Sequence, residues 1–137
     1  MPEKLIEVLT RGLAVWFVII FVESLHGIAR SLALEPLIGD LRARQVSVFI
    51  GAALIVAISF VFVRWLKASL RLDFILVGAM WVVLTVGFEI LLGRFVMGVS
   101  WERIASDYNL VNGGLMPLGL LVMLFAPLAM AIIQDEV

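Results

Sequence analysis

The sequence predicts an all-α protein: a bundle of four transmembrane helices, with a short interfacial helix or ordered loop between the third and fourth. Three observations lead there. Hydrophobic residues make up 64% of the 137 positions and charged residues only 15%, against about 45–50% apolar and about 25% charged in a soluble domain. The apolar residues fall into four long tracts, and a membrane-crossing helix needs about 20 of them in a row. Finally, hydrocarbon offers backbone groups no partner, so a spanning segment is either a helix or part of a closed barrel. Barrel strands alternate strictly between polar and apolar, and these tracts do not. The chain reads as a single integral membrane domain, 1–137.

The first span runs from about Gly12 to Leu34 and has a possible earlier start at Leu5. Its uncharged part, Gly12 to Val22, is too short to cross alone, so either Glu23 lies at membrane depth or the helix ends early. Lys4 and Arg11 before an apolar run resemble a signal peptide. Glu23 interrupts that run and no small-x-small cleavage site follows, so the segment is expected to be retained. The second span, Val46 to Val63, is uncharged and closes with Arg64, Trp65 and Lys67. The third runs from Phe74 to about Gly93, with Glu89 near its end. The fourth occupies Gly114 to Ile133, with Pro117 in its first turn and Pro127 placed to kink it or end it.

The links are short. Pro36 and Gly39 mark a turn between spans one and two. The link from Arg94 to Asn112 is longer. Ser100 is positioned to cap a short helix with Trp101, Ile104 and Tyr108 on one side, suited to the headgroup region where Trp and Tyr collect; an ordered polar loop is the alternative. Lys and Arg divide evenly. Lys4, Arg11, Arg64, Lys67 and Arg71 fall on one side, and Arg30, Arg42, Arg44, Arg94 and Arg103 on the other. Both lysines and the N-terminal amine lie on the first side, which favours cytoplasmic termini; insertion in both orientations is the alternative.

At 3.6 residues per turn Glu23, His26 and Arg30 share one helix face, with Glu23 roughly 10 Å below Arg30. On span three, which runs in the same direction, Trp81, Thr85 and Glu89 form a stripe ending near Arg94. An acid at a helix centre costs roughly 2.5–3.5 kcal/mol on insertion scales, so such groups turn inward and find partners. The expected ligand-binding cluster is Glu23, His26, Arg30, Glu89 and Arg94, closed over by Arg42, Arg44 and Gln45 with Trp101 and Tyr108. Each has a plainer reading. His26 suits hydrogen-bonded packing. Glu23 and Glu89 suit ion pairs that lock helices together. The arginines suit snorkelling to phosphates. Met116, Met123 and Met130 recur every seven residues as a packing seam, and Gly78 and Gly87 suit close helix approach.

One histidine without a cysteine cannot build an ordinary zinc site, so no metal and no cofactor are expected. A net charge of −1 with no basic block makes nucleic acid an unsuitable partner. Membrane lipids, a second copy or a larger membrane complex remain as partners. Glu23-x-x-x-Gly27 is echoed by Glu89-x-x-x-Gly93. A true repeat would relate two parallel hairpins about an axis along the membrane normal.

Gly27-Ile-Ala-Arg30, Pro36-Leu-Ile-Gly39, Trp81-x-x-x-Thr85-x-x-Phe88-Glu89-x-x-x-Gly93-Arg94 and Ser100-Trp101-Glu102 together resemble an uncharacterised family of small four-span bacterial integral membrane proteins. The likeness covers most of the chain and implies a four-span fold and a bacterial cytoplasmic-membrane address, with no activity attached. In that pattern an acid often follows the first arginine; here Ser31 stands there. The residues themselves leave three functions. The first is a binding or accessory protein whose outer-leaflet cluster holds an anionic headgroup, a ligand or a partner subunit. The second is a small dimeric transporter or channel with Glu23 and Glu89 as proton or cation sites. The third is an enzyme on a lipid-like substrate using His26 or Glu89 as base, although no nucleophile motif is present.

Overall fold

The computed structural model describes residues 2–136, which contain helices and no strand. Helix α1 spans Pro2–Ala29 and runs on through a π-helical turn, Arg30–Leu34, into the short α2, Glu35–Ile38. Then come α3, Asp40–Phe62, and α4, Arg71–Ile90, which also ends in a π-helical turn, Leu91–Val96. Helix α5, Trp101–Ser106, and a 3-10 turn, Leu110–Asn112, lead to α6, Met116–Ile133. Four continuous stretches are long and apolar enough to cross a membrane: Lys4–Ile38, Asp40–Phe62, Arg71–Val96 and Met116–Ile133.

These helices are longer than the apolar tracts alone suggested. The Glu35–Arg44 segment is not a loop but the end of one helix and the start of the next, with only Gly39 between them. Gly39 has φ +88°, a conformation glycine adopts without a Cβ penalty, and that one residue reverses the chain. Pro36 lies inside this continuous helix, where its missing N–H interrupts the regular backbone ladder just after the π-helical turn. Asp40 then places a negative charge in the first turn of α3, favourable to the helix dipole. Around α5 the reading holds: Ser100 is the N-cap, its Oγ accepting from the Arg103 N–H at 3.2 Å.

Packed neighbours are α1 with α3 and α4, and α6 with α3 and α4. The four long helices therefore form a ring in the order α1, α3, α6, α4. The sequential pair α3 and α4 face each other across the diagonal, and the link between them passes beneath the bundle. That is why Val63 and Leu66, though in a link, are almost wholly buried. This order corrects the expected repeat: α1 and α4 are parallel neighbours, whereas a two-fold axis along the helices would set them diagonally opposite.

The core lies toward the end that carries both ends of the chain. Phe74, Val77, Trp81, Ile19 and Ala131 are fully buried. Trp81 Nε1 donates to the Gly12 carbonyl at 2.9 Å; Trp16 Nε1 donates to Thr85 Oγ1 at 3.0 Å, which in turn donates to Met123 Sδ at 3.4 Å. One polar chain thus ties α1, α4 and α6 together inside apolar surroundings, satisfying the indole donors as a buried Trp requires. Met123 and Met130 are buried as the seam predicted. Gly78 allows α4 to touch α6: a Cβ there would stand 2.0 Å from the Leu124 carbonyl oxygen. Gly87 is a correction, since a Cβ there would meet nothing within 4 Å. Helix α6 runs through Pro127 to Ile133 without ending there.

At this same end Arg11 donates to the Trp65 carbonyl at 3.0 Å and stacks over its ring, Lys4 reaches Ser69, and Gln134 donates to the Phe60 carbonyl. The links between α2 and α3 and between α4 and α6 lie at the opposite end.

Candidate binding site

At that opposite end the interior changes character. Small residues Ala43, Ser47, Gly51 and Ser59 recur every four residues or a multiple of four on α3 and are buried, so α1 packs closely against it. Gly51 leaves room for an acid from α1: a Cβ there would lie 2.8 Å from Glu23 Oε2. Glu23 therefore points into the bundle, and its Oε1 is buried with no hydrogen-bond partner. One turn nearer the end on the same α3 face, Ser47 is 7% exposed and its Oγ is also unpartnered.

Glu89 comes from α4, the parallel neighbour of α1. It lies within electrostatic reach of Glu23, Arg30, Asp107 and Tyr108. Its side chain is exposed. Neither Glu23 nor Glu89 forms an ion pair among the described residues, so the helix-locking reading of these two acids is not what the geometry provides. Arg30 opens the π-helical turn that follows α1, and its Nε is buried without an acceptor. His26 is half-buried on the same face, within electrostatic reach of Arg30. Of the six buried side-chain atoms lacking a partner among the described residues, five belong to Glu23, Arg30, Arg44, Ser47 and Tyr108, all at this end; Ser59 is the sixth. Buried polar groups are normally bonded, so a cluster of orphans marks where water or a ligand belongs.

The rim is fixed by ions. Arg44 pairs with Asp107 and with Asp40 at 3.1 Å; Arg103 pairs with Asp40 at 3.0 Å and with Asp107 at 3.5 Å. These four residues fasten α5 onto the first turn of α3. Gln45 Nε2 donates to the Gly113 carbonyl at 2.9 Å, and Gly114 packs against the Ser106 carbonyl, where a Cβ would stand 2.1 Å away. The Tyr108 hydroxyl is enclosed here. Burial, and then the negative charges of Glu89 and Asp107, push its pKa up to about 12, so it stays a proton donor at ordinary pH.

Several expected lid residues have other work. Arg44 and Gln45 are fasteners of the link, not free ligands. Arg42 is exposed on α3 with no hydrogen bond or ion pair among the described residues. Arg94 stacks on the Trp101 ring at 5.3 Å, and Trp101 is 51% exposed, edge-on to Phe95. Asp40, Arg103, Asp107 and Ser47 were not expected. Asp40 and Arg44 stand four apart, the spacing of a helical ion pair, but that spacing means nothing until the segment is known to be helical.

No group of acids and histidine suited to a metal ion occurs among the described residues. A groove of about 630 Å³ lies elsewhere, on the outer face between α3 and α6, and is lined by Ala52, Ala53, Val56, Phe60, Val122 and Met130 among others. Comparison with protein-family models, with curated proteins and with solved structures finds no match.

Proposed function

We propose that this chain is a small integral membrane binding protein whose link-bearing end holds a polar ligand or headgroup in a chamber open on that side alone. The observation that carries this is the convergence of unpartnered buried atoms from Glu23, Ser47, Arg30 and Tyr108 at one end of the bundle. The opposite half supports one-sidedness. There Val15, Ser59, Phe62, Val63, Leu66, Trp81 and Pro127 enclose a space with no room for a water molecule. We infer cytoplasmic chain ends and an outward-facing chamber from the two lysines and the N-terminal amine on one side, and a bacterial inner membrane from the family resemblance.

The free charges shape the ligand. Asp40 and Asp107 engage Arg44 and Arg103, which weakens the reading of a purely anion-binding arginine cluster. Glu23 and Glu89 remain without ion pairs, and two close acids in an apolar bundle are met by a proton or by a positive partner; the second is what a cationic ligand group supplies. Native mass spectrometry of the protein released gently from membranes tests this reading. A bound small molecule or lipid, lost on Glu23→Gln together with Glu89→Gln, is the expected result. A bare chain, or retention unaffected by both substitutions, contradicts it.

Those same acids favour a second reading, a proton or cation carrier. Its test is ion flux into liposomes. Flux abolished by Glu89→Gln selects transport, and its absence in a folded, ligand-retaining protein selects binding.

A further inference from the structure

Resting on that binding reading, the orphaned atoms also specify a ligand. They are of two kinds, and they are separated along the bundle axis. The deeper ones are acceptors, Glu23 Oε1 and the Ser47 hydroxyl, with the exposed carboxylate of Glu89 beside them. Nearer the rim are donors: Arg30 Nε, Arg44 Nε and the Tyr108 hydroxyl, which keeps its proton. Arg30 stands roughly 10 Å above Glu23 along the helix. We propose that the chamber accepts a zwitterionic group with a primary ammonium and a phosphate, the headgroup of an ethanolamine phospholipid, ammonium inward and phosphate at the rim.

The chemistry at each level selects this class. A primary ammonium brings three N–H donors and a positive charge to a place with unmet acceptors and two acids without ion pairs. A trimethylated amine carries the charge but no N–H, and would leave the Ser47 and Glu23 oxygens without a bond. It is also bulkier, and the Glu23 carboxylate already fills the space that Gly51 opens. A headgroup with phosphate but no amine would satisfy Arg30 and leave the acids unpaired. Guanidinium is the natural partner of phosphate at the rim. Glu89 supplies access, because it is exposed. Beside it the π-helical turn exposes Leu91, Phe95 and Val96, an apolar face along which acyl chains can lie.

The test compares four probes by native mass spectrometry of the full chain in detergent. Three are lipids of identical acyl composition with ethanolamine, choline or glycerol headgroups; the fourth is soluble O-phosphoethanolamine. Loss of one charge-assisted hydrogen bond changes binding by about tenfold or more. The ethanolamine lipid is expected to be retained about tenfold better than the choline and glycerol lipids. Ser47→Ala and Glu23→Gln act on the ammonium level alone and should erase that preference, whereas Arg30→Gln should weaken all three lipids together, because each carries the phosphate. Binding of O-phosphoethanolamine as tight as that of the lipid keeps the headgroup chemistry and assigns a soluble ligand as its source. Equal retention of all three lipids, or preference for choline or glycerol, overturns the zwitterion assignment while leaving a binding chamber in place. No site-dependent retention of any probe, together with a sample that carries no ligand of its own, overturns the binding reading itself. Ser47→Ala removes one oxygen and leaves the helix contact intact, so it remains informative if Glu23→Gln fails to fold.

Discussion

At the scale of single residues, burial decides what each polar group can do. Glu23 is inward because Gly51 lacks a side chain, and its depth follows from its place on α1. The single tyrosine offers a direct probe of the enclosed end. Tyrosinate absorbance in the folded protein should rise around pH 12, not around the ordinary value of about 10. Because the folded-state pKa is raised, the neutral phenol adds stability below pH 10. That contribution fades as the pH climbs from 10 to 12. Titration near 10 in folded protein would place the Tyr108 hydroxyl in open water and break the rim as described. Glu23, His26, Arg30 and Glu89 were all legible in the sequence, since an acid or an arginine one or two helical turns apart in an apolar tract declares its face. Ser47 and Gly51 were not, because small residues on an apolar helix carry no signal until the neighbour that presses on them is known.

At the scale of elements, contacts between helices set the costs. Gly78→Ala forces a methyl group onto a backbone carbonyl that cannot step aside, so α4 and α6 must part. Its destabilisation should be about 2–3 kcal/mol. Gly87→Ala, nine residues on in the same helix, meets nothing and should leave the melting temperature unchanged or slightly raised. Thermal unfolding followed by circular dichroism compares the two, and equal effects would refute the α4–α6 contact. Asp107→Asn takes from Arg44, whose side chain is 16% exposed, one of its two acid partners and leaves it only the more exposed Asp40; it should cost roughly 1–3 kcal/mol. Asp40→Asn should cost less, because Asp40 is 41% exposed and screened by water. Amide exchange across Trp101–Tyr108 would report the difference, with Asp107→Asn faster and the wild-type rate rising in high salt. The α5 cap was readable from Ser100, whose hydroxyl meets a backbone N–H three residues on. The fastening of α5 to α3 was not, because Asp40 and Arg44 look like loop residues until Gly39 is seen to be the whole turn. The π-helical turns at Arg30–Leu34 and Leu91–Val96 stand in different registers, the first beginning beyond Gly27 and the second containing Gly93, so the echoed Glu-x-x-x-Gly positions are not repeated in the backbone, and the ring order excludes the symmetry they suggested.

At the scale of the whole molecule, four long apolar helices divide the interior into a dry half and a polar half. Hydropathy and hydrogen-bond accounting made the four helices legible, because a long apolar tract has few stable alternatives. The order around the ring was not legible. It depends on the α3–α4 link tucking Val63 and Leu66 beneath the bundle, which no periodicity announces. The division into halves is what the binding reading rests on, and the chain has no native cysteine to complicate its test. Single cysteines placed by Glu23→Cys and Ser59→Cys, in membranes of defined sidedness, can be challenged with a water-soluble thiol reagent from each side. The account predicts that Glu23→Cys is labelled from the α5 side alone and Ser59→Cys from neither. Labelling of Glu23→Cys from both sides, or from neither, would contradict a chamber that opens at one end.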